Sequence, residues 1–111
     1  MKKIFLSLPF NGRTNKEIHI EIKKMIDKYC LEHDITPSMV VNGEVVFVNN
    51  YDARSDITIE QLSKCKHNRL LYLGEAIKLM AECDEVIFSE NYEKAKGCKV
   101  EKTVYDLYFC H

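Results

Sequence analysis

The 111-residue chain has no Pro-rich, Ser-rich or low-complexity stretch. Nothing therefore marks a linker, and a single domain over 1–111 is expected, large enough for a real core but near the size where partners help bury surface. An excess of either charge is also missing. Sixteen basic residues against 17 acidic ones leave a formal net charge of −1, which removes the general attraction that a nucleic acid polymer would need. A small-molecule ligand fits that balance better. No apolar run approaches the length of a bilayer span, and Met1-Lys2-Lys3 leads straight into a strand-like segment instead of a secretory apolar stretch. A cytoplasmic protein with no membrane partner is the expectation.

Cysteines are present, but their pairing pattern is not. Cys30, Cys65, Cys83, Cys98 and Cys110 are odd in number and irregularly spaced, which argues for reduced thiols over a disulfide framework. Cys65-Lys66-His67 sets a cysteine close to a histidine, but without a second ligand pair at matching spacing it lacks the pattern of a zinc site. Neither a metal nor another cofactor is expected.

What the chain does have is alternation of strand and helix signals. Ile4-Phe5-Leu6-Ser7-Leu8, closed by Pro9, is short and almost continuously apolar, as in a parallel strand buried on both faces. Thr14 and Glu17 form a capping-box pattern, after which Ile18, Ile22, Met25, Ile26, Tyr29 and Cys30 recur at helical spacing through His33. Asn42-Gly43 between β-branched runs is a hairpin signal, which predicts a strand over 45–48 with 39–41 as an edge extension. Thr58 to Gln61 repeats the capping pattern and predicts a short helix within a long excursion over 50–66.

Leu70, Leu73, Gly74, Ile77, Met80 and Ala81 then predict a helix, followed by a strand over 85–89. A final helix from about Gly97 places Val100, Val104, Leu107 and Tyr108 on one face, with a short strand over 107–110 as the competing reading. This order predicts an α/β, small flavodoxin-like (Rossmann-like) three-layer fold with a mainly parallel sheet. Ligands in such folds bind at the carboxyl ends of the strands.

Two loops reach that end with useful chemistry. Ser7, Asn11, Gly12 and Arg13 offer a hydroxyl, an amide, a glycine turn and a guanidinium, a set suited to a phosphate or a sugar. A plain Pro/Asn/Gly turn with an exposed arginine is the alternative. The spacing is neither a Walker loop nor a dinucleotide fingerprint. In the other loop, Lys94, Lys96 and Lys99 surround the start of the last helix, where acidic side chains are normally favoured; they serve an anion or reach into solvent. Glu101, read as lying in the first turn of that helix, gains from the dipole alone. Its position just after Gly97 and a buried strand also suits a carboxylate nucleophile that attacks an anomeric carbon. Phe10 and Tyr92 are candidate stacking surfaces for a base, and Tyr72 reads as core.

Taken together, Ser-Leu-Pro-Phe-Asn-Gly-Arg at 7–13, Leu71-Tyr72-Leu73-Gly74-Glu75-Ala76-Ile77, Cys83-Asp84-Glu85-Val86-Ile87-Phe88 and Lys96-Gly97-Cys98-Lys99-Val100-Glu101 resemble the nucleoside 2-deoxyribosyltransferase-like superfamily, in particular its small phage and bacterial members. The resemblance covers most of the chain apart from about 34–66 and the extreme C-terminus. It implies Glu101 as nucleophile and Ser7, Asn11, Gly12 and Arg13 at the sugar and phosphate; Phe10, Tyr92, Lys96, Gly97 and Cys98 stand beside them as candidate substrate-binding residues. The implied activity is cleavage or exchange of the N-glycosidic bond of a deoxynucleoside or its 5′-monophosphate.

The sequence departs from the family at two places. The aspartate that assists proton transfer is replaced by Ala76, for which the adjacent Glu75 substitutes only if the helix register turns it inward, and Cys98 stands where Ser or Thr is common. A binding module that holds a nucleotide or nucleotide-derived signal without turnover is the alternative function. A homo-oligomer is expected under either, because the sheet edge gains by being covered and related proteins complete their sites across subunits.

Overall fold

The computed structural model describes residues 1–109. Three strands, β1 (Lys2–Ser7), β2 (Val45–Asn49) and β3 (Glu85–Phe88), form an all-parallel sheet in the order β2-β1-β3. β1 is central because its sequence allows nothing else: Ile4, Phe5, Leu6 and Ser7 are at most 1% exposed. Strand alternation sends Ile4 and Leu6 to one face and Phe5 and Ser7 to the other.

Each face has its own apolar cluster. On the first, α1 (Asn15–Glu32) lays Ile18, Met25 and Tyr29 against Ile4, Leu6 and Val45. On the second, α3 (Asn50–Arg54), α5 (Asn68–Ala81) and α6 (Lys96–Tyr108) contribute Ala53, Ala76, Met80 and Val104 around Phe5 and Val86. A small three-layer α/β fold results, as expected. α1 begins at the expected capping box, with Thr14 accepting from the Glu17 N–H at 3.1 Å and Glu17 accepting in return from the Thr14 N–H at 3.2 Å. The short helix expected after Thr58 is α4 (Ile59–Lys64).

Three expectations need correction. Residues 39–41 are not an edge strand but the end of the helix α2 (Pro37–Val41). Pro37 occupies its first turn after the Thr36 cap, and the Asn42-Gly43 pair that signals a hairpin instead closes this helix, with Gly43 at φ +77°. The inward face of α6 carries Cys98 and Glu101, with Val104 and Tyr105 packed on the second cluster, whereas Val100, Leu107 and Tyr108 are 39%, 67% and 71% exposed. The competing strand over 107–110 is excluded for Leu107 and Tyr108, which are helical, while Cys110 lies outside the described residues. Finally, α6 starts at Lys96, so Glu101 sits in its second turn, where the helix dipole has largely faded. Among the described residues, no helix is long and apolar enough to cross a membrane.

Candidate functional site at the carboxyl end of the sheet

β1 is flanked by β2 on one side and β3 on the other, so the gap between β1 and β3 is the topological switch point at which such sheets open a ligand crevice. Ser7 is the last residue of β1, pairs in register with Phe88, and its carbonyl accepts from the Ser89 N–H at 2.9 Å. Strand alternation turns the Ser7 side chain towards α6. There its hydroxyl donates to Glu101 Oε1 at 2.7 Å, joining residues 94 positions apart.

Glu101 is 1% exposed, an unusual place for a carboxyl group. Burial pushes it up to about 7, against the opposing pull of the Ser7 hydroxyl, which favours the charged form. Near neutral pH the group is therefore divided between acid and carboxylate. Cys98, one turn earlier and 2% exposed, completes the cluster beside Ser7 and Glu101. Its thiol is pushed up to about 11, chiefly by burial and further by the negative charges of Glu101 and Glu21. A thiol so protonated is a packing group and not a nucleophile.

On the opposite face a second carboxylate organises the crevice. Glu21 of α1 accepts from Arg13 Nη1 at 3.0 Å and from the Ser89 hydroxyl at 3.0 Å, tying the loop after β1 to the loop after β3. Arg13 Nη1 also donates to the Pro9 carbonyl at 2.9 Å, and Ser89 Oγ accepts from the Asn91 N–H at 3.1 Å. Both ion-pair partners are mostly withdrawn from solvent, with side chains 22% and 13% exposed. Beside them runs a cleft of about 470 Å³ lined by Arg13, Glu21, Met25, Ile87, Ser89 and Asn91, a volume within the range of small-ligand sites. Ser7, Cys98 and Glu101 do not line it.

The structure thus gathers Ser7, Cys98 and Glu101 in one cluster and Arg13 in an adjoining one. Gly12 takes φ +74°, the left-handed conformation that glycine allows, and is exposed with Asn11 at the rim. A Cβ on Gly97 would meet nothing within 4 Å, so open space lies beside the start of α6. Lys94, Lys96 and Lys99 are exposed.

The aromatic candidates are committed to protein contacts: Phe10 to Tyr51 at 4.6 Å between ring centroids, and Tyr92 edge-on to Phe88 at 5.7 Å. Tyr72, expected in the core, is partly buried beneath the Arg54 guanidinium at 4.5 Å. Glu75 pairs with Lys78 on its own helix at 3.3 Å, while the neighbouring Ala76 is the residue that enters the core. Among the described residues no group of three His, Cys, Asp or Glu side chains could hold a metal ion.

Neither Glu21 nor Ser89 stands out by motif. Glu21 did leave one signal, because Ile18, Glu21 and Met25 fall on one helical stripe, and a carboxylate within an inward stripe demands a partner. No family model, curated protein or solved structure matches the chain. Functional inference therefore rests on the residues and their geometry.

Proposed function

We propose that this protein cleaves or transfers the N-glycosidic bond of a (deoxy)nucleoside or its 5′-monophosphate, with Glu101 as nucleophile. The observation that supports it best is a buried carboxyl group held on a single hydroxyl, Ser7, at the switch point of the sheet, with a ligand-sized cleft on the other face of the same sheet end. Ionised Glu101 bonds to the anomeric carbon as the bond to the base breaks, and the departing nitrogen takes the electron pair and gains a proton. Water or a second base then attacks from the face that the first base vacated, opposite Glu101, and displaces it, so configuration is retained. Ser7 orients the carboxylate and favours its charged form.

In this reading Asn11, Gly12, Arg13, Lys96, Gly97 and Cys98 surround the sugar, and Phe10 or Tyr92 offers a ring to the base. Glu75 is the remaining candidate for proton transfer and would have to leave Lys78 to act. No cofactor enters the scheme. Incubation with purine and pyrimidine deoxynucleosides and their monophosphates, followed by chromatography of free base, tests the proposal. It fails if no base appears, or if Glu101→Gln releases base as fast as the unmodified protein.

The near-complete burial of Glu101 favours one second reading, in which the cleft binds a nucleotide or nucleotide-derived signal without turnover. Calorimetry that shows nucleotide affinity without product would select it. Self-association belongs with either reading, because β3 leaves one strand edge unpaired among the described residues. Sedimentation equilibrium tests this, and a monomer at high concentration would refute it.

A further inference from the structure

The Arg13 guanidinium is the obvious anchor for a 5′-phosphate, yet it is already engaged. Its Nη1 donates to Glu21 Oε2 at 3.1 Å and to the Pro9 carbonyl at 2.9 Å, and lies 3.0 Å from Glu21 Oε1 as an ion pair. A phosphomonoester arriving at Arg13 would bring nearly two negative charges to within hydrogen-bond distance of the Glu21 carboxylate. In a partly desolvated crevice that repulsion is only weakly screened. Glu17 and Glu90 line the same cleft and add to it, while Lys24 and Lys28 offset it further along α1.

Resting on the N-glycosidic reading above, we infer that the site takes the uncharged nucleoside, and that Glu21 is the specificity-determining residue that turns the 5′-monophosphate away. A carboxylate has about four acceptor positions. Arg13 and the Ser89 hydroxyl both donate to Oε2, which leaves Oε1, 3.0 Å from Arg13 Nη1, with acceptor capacity for a sugar hydroxyl. The ion pair has a further consequence, since the same carboxylate fixes the loop after β1 and the loop after β3. The crevice is therefore shaped before the ligand arrives, and Glu21 discriminates as a prepositioned acceptor.

The test compares kcat/KM for base release from matched deoxynucleosides and their 5′-monophosphates, in the unmodified protein and in Glu21→Gln, with Glu21→Ala as a second variant should the first fold poorly. Glu21→Gln keeps the side chain's length while freeing Arg13 of its counter-charge. The unmodified protein is expected to favour the nucleoside at least tenfold, and the variant to move that ratio at least tenfold towards the monophosphate. A monophosphate preference in the unmodified protein, or a ratio that Glu21 substitution leaves unchanged, overturns the inference while base release keeps the N-glycosidic reading intact. If neither substrate releases base, that reading falls, and the inference falls with it.

Discussion

Two glutamates meet the same end of the sheet from opposite faces, and their surroundings give them opposite characters. Glu101, from α6, is sealed at 1% exposure with the Ser7 hydroxyl as its partner, and burial pushes its carboxyl up to about 7. Glu21, from α1, sits beside an arginine and a second serine on the wall of an open cleft. The contrast shows how one fold can hold a carboxylate for chemistry and another for recognition. Low polarity keeps the first poised to change state, and a fixed cation keeps the second in place.

The most severe way to break the comparison is to neutralise each carboxylate in turn. Glu101→Gln is expected to lower base release at least about a thousandfold, since removing a covalent nucleophile removes the reaction path itself. Glu21→Gln should leave most of the deoxynucleoside activity, within about tenfold, because only a positioning contact is lost. Equal losses in steady-state kinetics would mean that the two groups act as one unit.

A second test uses pH. Glu101 has a folded value of about 7 against an ordinary 4.5, so the folded state holds its proton more tightly than the unfolded state does. Its protonated form stabilises the fold fully below about pH 4.5, and this contribution is lost as pH rises through about 7, amounting to at most about 3 kcal/mol. Thermal melts from pH 5 to pH 8 should show that decline in the unmodified protein and in Glu21→Gln, but not in Glu101→Gln. Activity should run the other way, rising through about pH 7 as the carboxylate forms. A melting profile that Glu101→Gln leaves unchanged would remove Glu101 as its source.

Much of the frame behind this contrast is legible in the sequence. The apolar run at Ile4 to Leu8 demanded a strand buried on both faces, and the Thr14/Glu17 capping box fixed the start of α1. Asn42-Gly43 misled because glycine at positive φ closes a helix as readily as it turns a hairpin, and Pro37 decided between them. The contact from Ser7 to Glu101 spans 94 positions, so no local spacing could reveal that the glutamate is buried or that a hydroxyl holds it. Arg13 was visible as a residue type, but its neutralising partner came from a different stripe of pattern altogether, one read as core. Motif reading finds groups that face outward together; it misses a charge whose partner the fold supplies.

Sharpening the comparison further, Ser7→Ala removes the hydrogen bond that opposes the burial of Glu101. Hydrogen bonds to charged groups are worth roughly 1.5–3 kcal/mol, so activity at neutral pH should fall about tenfold to a hundredfold. Because the serine holds the carboxyl down, its removal should also move the rising limb of the activity profile to higher pH, an effect that a simple packing defect would not produce. An unmoved limb would show that the contact leaves the carboxyl's titration unchanged.

The smallest effect is expected at Cys98, which lies among all of these groups yet faces no solvent. With its thiol pushed up to about 11 at 2% exposure, it has neither the thiolate nor the access that alkylation requires. Cys65, partly exposed at the end of α4, has the access that Cys98 lacks. Iodoacetamide labelling of the folded protein, read peptide by peptide by mass spectrometry, should modify Cys65 while sparing Cys98 until denaturant is added. Cys98→Ser should change the free energy of unfolding by no more than about 1 kcal/mol, since the smaller hydroxyl fits the space of the thiol and can find a partner in the adjoining Ser7 hydroxyl. Rapid native labelling of Cys98 would instead mean that the pocket around Glu101 opens to solvent, which would erase the difference in burial between the two carboxylates.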